Sequence, residues 1–221
     1  NPQAQQMVLA SYRPEMNTMT ISERSQNKLA ELGIEAVLIP PGIDLETFKP
    51  LELERDKNVL LALGRSNPLK NLPLTIDGWK AMGAKRPELW MFGVEPRIGV
   101  RYGAKYITSP SDEEVNELYN QCGVFIQNST HEGFCLPVLE AMATGATVVC
   151  TDMVGNRDFC VDGENCIMVD FTPESVAAGV RRAIDDEELR EKFKKTGPET
   201  AAKFSWDIRI EQVEDFYESL T

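Results

Sequence analysis

Two glutamates, Glu132 and Glu140, lie in the run His131-Glu132-Gly133-Phe134-Cys135-Leu136-Pro137-Val138-Leu139-Glu140, where a loop is expected to turn into a helix. Pro137 suits the first helical turn, because its missing N–H is one that a helix start leaves unpaired anyway. The free N–H groups around Phe134 to Leu136 then face the loop as an anion-receptive end. About one turn further in, the carboxylate of Glu140 can reach back to the same mouth and accept two hydroxyl protons from a vicinal diol, while Glu132 hangs over that mouth from the loop. Donors for a phosphate and acceptors for sugar hydroxyls converge. Each carboxylate alone has an ordinary explanation: a Glu early in a helix is favourable with the macrodipole, and a loop Glu is simply solvated.

A second motif adds cations. The apolar run Val59-Leu60-Leu61-Ala62-Leu63 ends in Gly64 and delivers Arg65, and Lys70 follows at a helix start. Arg offers a planar fork to phosphate oxygens and Lys a mobile point charge, the pairing expected where a diphosphate leaving group is held as its charge grows. Taken singly, both are ordinary surface cations, and Asn67 or Asn71 is a candidate cap for the next helix.

Gly64-Arg65 with Lys70, Glu132 with Glu140, Gly155-Asn156-Arg157-Asp158 and Asp162-Gly163-Glu164-Asn165 occur in that order and spacing. With them the chain, from about Thr18 onward, resembles the C-terminal donor-binding half of a retaining glycosyltransferase of family 4 with the GT-B fold. The resemblance implies that Arg65 and Lys70 bind the donor diphosphate, that Glu132 contacts the donor sugar and that Glu140 holds the ribose diol. It also implies that backbone at Gly133, Phe134, Cys135 and Leu136 lines the sugar and phosphate, and that Ser109 to Asp112 lies near the nucleobase. His131, the lone histidine, is expected as a hydrogen-bonding wall residue and not as a general base, since geometry must precede an acid–base assignment. The activity implied is transfer of a hexosyl group from a nucleoside diphosphate sugar, with retention, to a saccharide, lipid-linked or other acceptor. A missing N-terminal domain would hold most of that acceptor. Competing readings are a nucleotide-sugar epimerase or phosphorylase-like enzyme of the same fold, and a non-catalytic sugar-nucleotide-binding module. The chain departs from the family pattern at Cys135 and Cys166, where glycine is common, at Asp158, where Glu is usual, and at Pro41, which replaces a frequent Asn. A side chain at Cys135 restricts the loop, because only Gly enters positive φ freely; this bears on donor identity more than on donor class.

Composition sets outer limits. The chain has 221 residues, 42% hydrophobic and 26% charged, and a net charge of -12. That is an ordinary soluble composition with enough length for a core. The acidity, with a pI near 4.7, argues against nucleic acid as partner, since a phosphate-neutralising surface is basic. No apolar run approaches the roughly 20 residues of a membrane span, and the start lacks the pattern of a signal peptide. A cytoplasmic location is expected, with peripheral membrane contact allowed for in a longer protein. The five cysteines are odd in number, so reduced thiols are expected. Cys160 and Cys166 form the only close pair, without zinc spacing or a nearby third ligand. No protein-bound metal or cofactor is expected, and no Asp-any-Asp triplet offers a metal site of the GT-A kind.

Positioning these residues requires alternating strands and helices, the mark of βαβ units with a parallel sheet and helices on both faces. The fold class is therefore α/β and Rossmann-like. Strands are expected at 19–21, 36–39, 59–64, 89–92, 105–107, 124–127, 147–151 and 166–169. Ser22 should start a helix that runs to Leu32 and stops at Gly33, and Ser111-Asp112-Glu113-Glu114 reads as a capping box. In such sheets ligands collect at the carboxyl ends of strands. The expected division is 1–39 as the last segment of an N-terminal acceptor domain, 40–57 as an interdomain linker, 58–205 as the donor-binding domain and 206–221 as a crossover helix.

Overall fold

The computed structural model describes residues 2–95 and 97–220. Along them run α1 (Pro2–Ser11), β1 (Thr18–Thr20), α2 (Glu23–Glu31), β2 (Ala36–Leu38), β3 (Asp56–Leu63), α3 (Leu72–Ala81), β4 (Glu88–Gly93), α4 (Arg97–Tyr102) and β5 (Lys105–Thr108). There follow α5 (Asp112–Gln121), β6 (Cys122–Gln127), α6 (Leu136–Ala143), β7 (Thr147–Thr151), β8 (Ile167–Val169), α7 (Pro173–Asp185), α8 (Glu187–Ala202) and α9 (Trp206–Glu218). The expected strands all form, within one to three residues at their ends. Ser22 caps α2 by accepting from the Ser25 N–H, and Ser111 with Glu114 closes the capping box on α5.

Strands β3 to β8 form one parallel sheet in the order β5-β4-β3-β6-β7-β8 among the described residues. β1 and β2 pair separately, also in parallel. Helices cover both faces, so the inner strands must be apolar on both sides, and they are. Leu60, Ala62, Val124 and Ile126 pack under Ile76 and Trp79 of α3 and Val176 and Val180 of α7. Their neighbours Val59, Leu61 and Phe125 face the opposite way, against Tyr119, Leu139 and Met142. The chain order reverses between β3 and β6, which makes the crevice beyond their carboxyl ends the topological switch point. No helix among the described residues is long and apolar enough to cross a membrane.

At the other end of the sheet, Arg55 locks the helices that back the crevice. Its guanidinium donates to the carbonyls of Tyr119 and Cys122 at the end of α5 and of Thr144 at the end of α6. A cation there complements two helix dipoles at once. Burial pulls the Arg55 pKa below its ordinary value. Truncation would leave buried carbonyls unpaired, so Arg55→Ala is expected to cost about 2–4 kcal/mol, with Arg55→Lys recovering part. Urea unfolding of the three proteins checks this; an unchanged midpoint for Arg55→Ala would show that the clamp is dispensable.

Candidate functional site

The loop leaving β3 is shaped by an aromatic ring. The Tyr106 hydroxyl donates to the Gly64 carbonyl at 2.9 Å and accepts from the Glu95 N–H at 2.9 Å. A Cβ at Gly64 would stand 2.5 Å from that ring, which is why glycine ends the strand. Arg65 is exposed beyond it. The Ser66 N–H bonds the Glu95 carboxylate at 3.0 Å; this contact with Ser66, helped by the nearby charge of Arg65, holds Glu95 below the usual carboxylate range. Asn67 caps the turn Pro68–Lys70 by accepting from the Leu69 N–H, and Asn71 enters α3 with φ at +47°.

Lys70 thereby meets the loop leaving β6. Its Nζ lies 2.7 Å from Oε1 of Glu132, in a half-buried ion pair, and the Thr130 N–H donates to the Leu69 carbonyl at 2.8 Å. The Glu132 N–H in turn donates to the Met153 carbonyl in the loop leaving β7, at 3.0 Å. That approach demands Gly155, where a Cβ would stand 2.5 Å from the Glu132 carbonyl oxygen. Asn156, wholly buried, fixes the β7 loop by accepting from the Met153 N–H and donating to the Thr151 carbonyl.

Cys135 is the residue before α6, with φ +81° and ψ +61° and no side-chain cap. No side chain caps α6; Pro137 has no N–H and the Val138 N–H donates to the Cys135 carbonyl at 3.2 Å, which leaves the Leu136 N–H as the donor at the helix start. The Cys135 thiol is pushed up to about 12, first by burial and then by Glu132 and Glu140, with Lys70 opposing. Glu140 accepts a hydrogen bond from the Tyr119 hydroxyl at 3.2 Å. Burial raises its carboxyl to about 7, Tyr119 opposing and Asp112 adding to the rise.

Lys70 and Glu132 are thus brought together in the loop that leads through Cys135 into α6, and Glu140 lies about one turn inside that helix. Arg65 shares the strand edge but not this contact set. It sits beside Glu95 and, with Asn67, Asn71 and Arg101, lines a pocket of about 350 Å³. Ser109 is exposed in the left-handed region at φ +49°, its N–H bonded to the Gly93 carbonyl. His131 is exposed. The Phe134 ring turns away from the mouth into a cluster with Phe159 and Phe204, leaving its backbone at the crevice between Gly133 and Leu136. Tyr119, Tyr106 and Glu95 escaped the sequence reading, since each acts through a contact distant in the chain. One expectation is corrected. Cys160 and Cys166 do have a third sulfur nearby, because pairing of β7 with β8 brings Cys150 beside them, all three sulfurs lying within 4.8 Å of one another.

Comparison with known proteins follows the same residues. Residues 99–200 match the family described as Glycosyl transferases group 1. The chain is 24% identical over 216 residues to D-inositol 3-phosphate glycosyltransferase of Corynebacterium urealyticum, covering 83% of this chain and 51% of that protein. It is 31% identical over 150 residues to O-antigen chain mannosyltransferase B of Escherichia coli, covering 67% and 38%. It spans about half the length of the first of these relatives. Among solved structures, sucrose-phosphate synthase from Thermosynechococcus elongatus superposes with a TM-score of 0.81 at 20% identity, over 91% of this chain and 57% of that one. HepE from Anabaena, in complex with UDP-glucose, gives 0.81 at 17% identity, over 99% and 70%. The chain has the fold of a GT-B glycosyltransferase domain, and its residues 99–200 carry the pattern of glycosyl transferases group 1.

Proposed function

We propose that this chain is the donor-binding half of a retaining hexosyltransferase, which moves a sugar from a nucleoside diphosphate sugar to an acceptor held mainly by an N-terminal domain. The observation that carries the reading is the Lys70–Glu132 ion pair beside the start of α6, the helix that carries Glu140, at the switch point of the sheet. A cation beside a helix start suits a diphosphate, and two carboxylates suit hydroxyls. HepE, of the same fold, was solved with UDP-glucose, which supports a nucleotide sugar as the ligand class.

In this reading the bond from the anomeric carbon to the diphosphate breaks with its electron pair staying on the phosphate oxygen. The acceptor oxygen bonds the same carbon from the same face, and its proton leaves with the diphosphate. Lys70, Arg65 and the α6 start stabilise the charge that grows on the leaving group. Lys70 must loosen from Glu132 as that carboxylate takes up a sugar hydroxyl. Glu140 holds the ribose diol, and Ser109 to Asp112 flank the base. Residues 1–39 would be the last segment of the acceptor domain, 40–57 the linker, 58–205 the donor-binding domain and 206–221 the crossover helix. Support comes from apolar side chains left in solvent on both outer pieces, among them Met7, Leu9 and Val37, and Trp206 and Ile210 of α9.

A panel of UDP, GDP, ADP and dTDP sugars is expected to contain one that stabilises the chain. At a hundredfold excess over Kd the gain is about 2.7 kcal/mol, or roughly 5–10 °C in Tm. Lys70→Ala combined with Arg65→Ala should abolish the shift while leaving the unliganded Tm within a few degrees. A flat panel would remove the nucleotide-sugar reading.

Glu140 adds a pH signature. Its folded pKa of about 7 lies above the unliganded chain's unfolded value near 4.5. The fold therefore holds the extra proton between these values, and stability falls as pH rises through about 7, by on the order of 3 kcal/mol in total. Glu140→Gln should match wild type at pH 5 and exceed it by about 1–3 kcal/mol at pH 8. Donor affinity should instead rise with pH in wild type, as the diol-accepting carboxylate forms, and stay low and flat in the variant. Parallel stability curves for the two proteins from pH 5 to 8 would refute a buried, protonated Glu140.

A further inference from the structure

Three thiols gather away from the mouth of the crevice. Cys150 is the penultimate residue of β7, Cys160 follows the turn Gly155–Asp158 and Cys166 precedes β8. All three are buried, and their sulfurs lie within 4.8 Å of one another, with no His, Asp or Glu among the described residues joining the group. Chance packing of small apolar side chains explains buried cysteines one at a time. It does not by itself bring three sulfurs, from segments up to sixteen residues apart, within 4.8 Å of one another. A trigonal set of metal–sulfur bonds of about 2.3 Å places its sulfurs about 4 Å apart, so the observed cluster needs only a small contraction.

The surroundings favour thiolate. The Asn156 amide lies 3.6 Å from the Cys150 sulfur. The Cys135 thiol, 3.8 Å from the Met153 sulfur, is near enough to Cys150 to add to the sulfur-rich lining. Cys160 and Cys166 flank the exposed turn 161–164, which is held by the Asn165 side chain and by Lys192 and Thr196 of α8.

We propose that Cys150, Cys160 and Cys166 form a three-coordinate sulfur site for a soft d10 cation, copper(I) being the ion that fits. Zinc prefers four ligands, and the cluster offers three in a dry pocket; thiolate donors select copper(I). Binding joins one copper(I) to the three sulfurs, and the proton of each thiol that becomes a thiolate passes to solvent, with the Asn156 amide beside the Cys150 sulfur. No electron is transferred.

The test is anaerobic titration of the fully reduced 221-residue chain with copper(I) against a chromophoric copper(I) chelator, followed by X-ray absorption spectroscopy. Expected are one ion per chain, three sulfur neighbours at about 2.3 Å, and a loss of roughly 100-fold or more in affinity for Cys160→Ala and for Cys166→Ser. Cys122→Ala, a buried cysteine outside the cluster, should bind as wild type does and controls for general damage. Circular dichroism melts establish that each variant is folded. No uptake beyond the chelator by the folded, reduced wild-type chain would overturn the proposal. So would equal binding by Cys166→Ser, or preferential uptake of zinc(II) in a four-coordinate shell.

Discussion

The site depends on the contact between two loops that leave neighbouring strands, β6 and β7. The Met153 carbonyl accepts from the Gly155 N–H at 2.9 Å and from the Glu132 N–H at 3.0 Å. The first of these closes a three-residue turn around Val154, whose φ of +70° and ψ of −56° belong to the strained hand of the γ-turn. A β-branched residue there is a genuine outlier, costing about 1–3 kcal/mol, and persists only where its surroundings over-determine it. Four contacts do so: Asp152 and Asn156 accept from the N–H groups of Val154 and Met153, Gly155 lets the chain press against the Glu132 carbonyl, and Glu132 completes the bridge. Through this contact the carboxylate of Glu132 is aimed at Lys70.

Strain is distributed around the same edge of the sheet. Asn71, Ser109, Cys135 and Val154 are the non-glycine residues with positive φ among those described, and each lies in a loop that follows the carboxyl end of a strand. Asn tolerates this conformation, whereas the buried Cys135 and the branched Val154 do not do so readily. The opposite end of the sheet, where Arg55 joins two helix ends, carries none. Such an asymmetry is expected when one edge is shaped for a ligand and the other for stability.

The architecture was legible because its signals are local. Apolar runs bounded by Gly, Pro and Asn mark the strands, and Ser22 and Ser111 announce helix starts whose bonds then form. Gly155 and Asn156 were legible as a motif, but their task was not, since it depends on a loop more than twenty residues upstream. Tyr119 reads as an apolar helix position, and the hydroxyl that meets Glu140 is invisible without the pairing of β3 with β6. Cys150 illustrates the same limit. Its sixteen-residue separation from Cys166 conceals a contact that strand pairing imposes.

The charge arrangement links these parts. On a chain of net charge -12, a free cationic pocket would attract stray anions, yet Lys70 is neutralised by Glu132 and Arg65 stands beside Glu95. Of the two cations of the proposed diphosphate site, Lys70 is therefore held by an internal carboxylate, while Arg65 is exposed at the strand end. A bare phosphate offers nothing to the carboxylates it displaces, whereas a nucleotide sugar brings hydroxyls that Glu132 and Glu140 can accept from. Glu140, protonated near neutrality by its burial, binds a diol as an anion only when that diol replaces the water burial removed. Displacing an internal ion pair costs free energy unless each liberated group finds a partner. In the proposed reading only a ligand that carries phosphate, pentose and hexose together satisfies all of them at once, so selectivity for the whole activated sugar follows from the pairing seen in its absence.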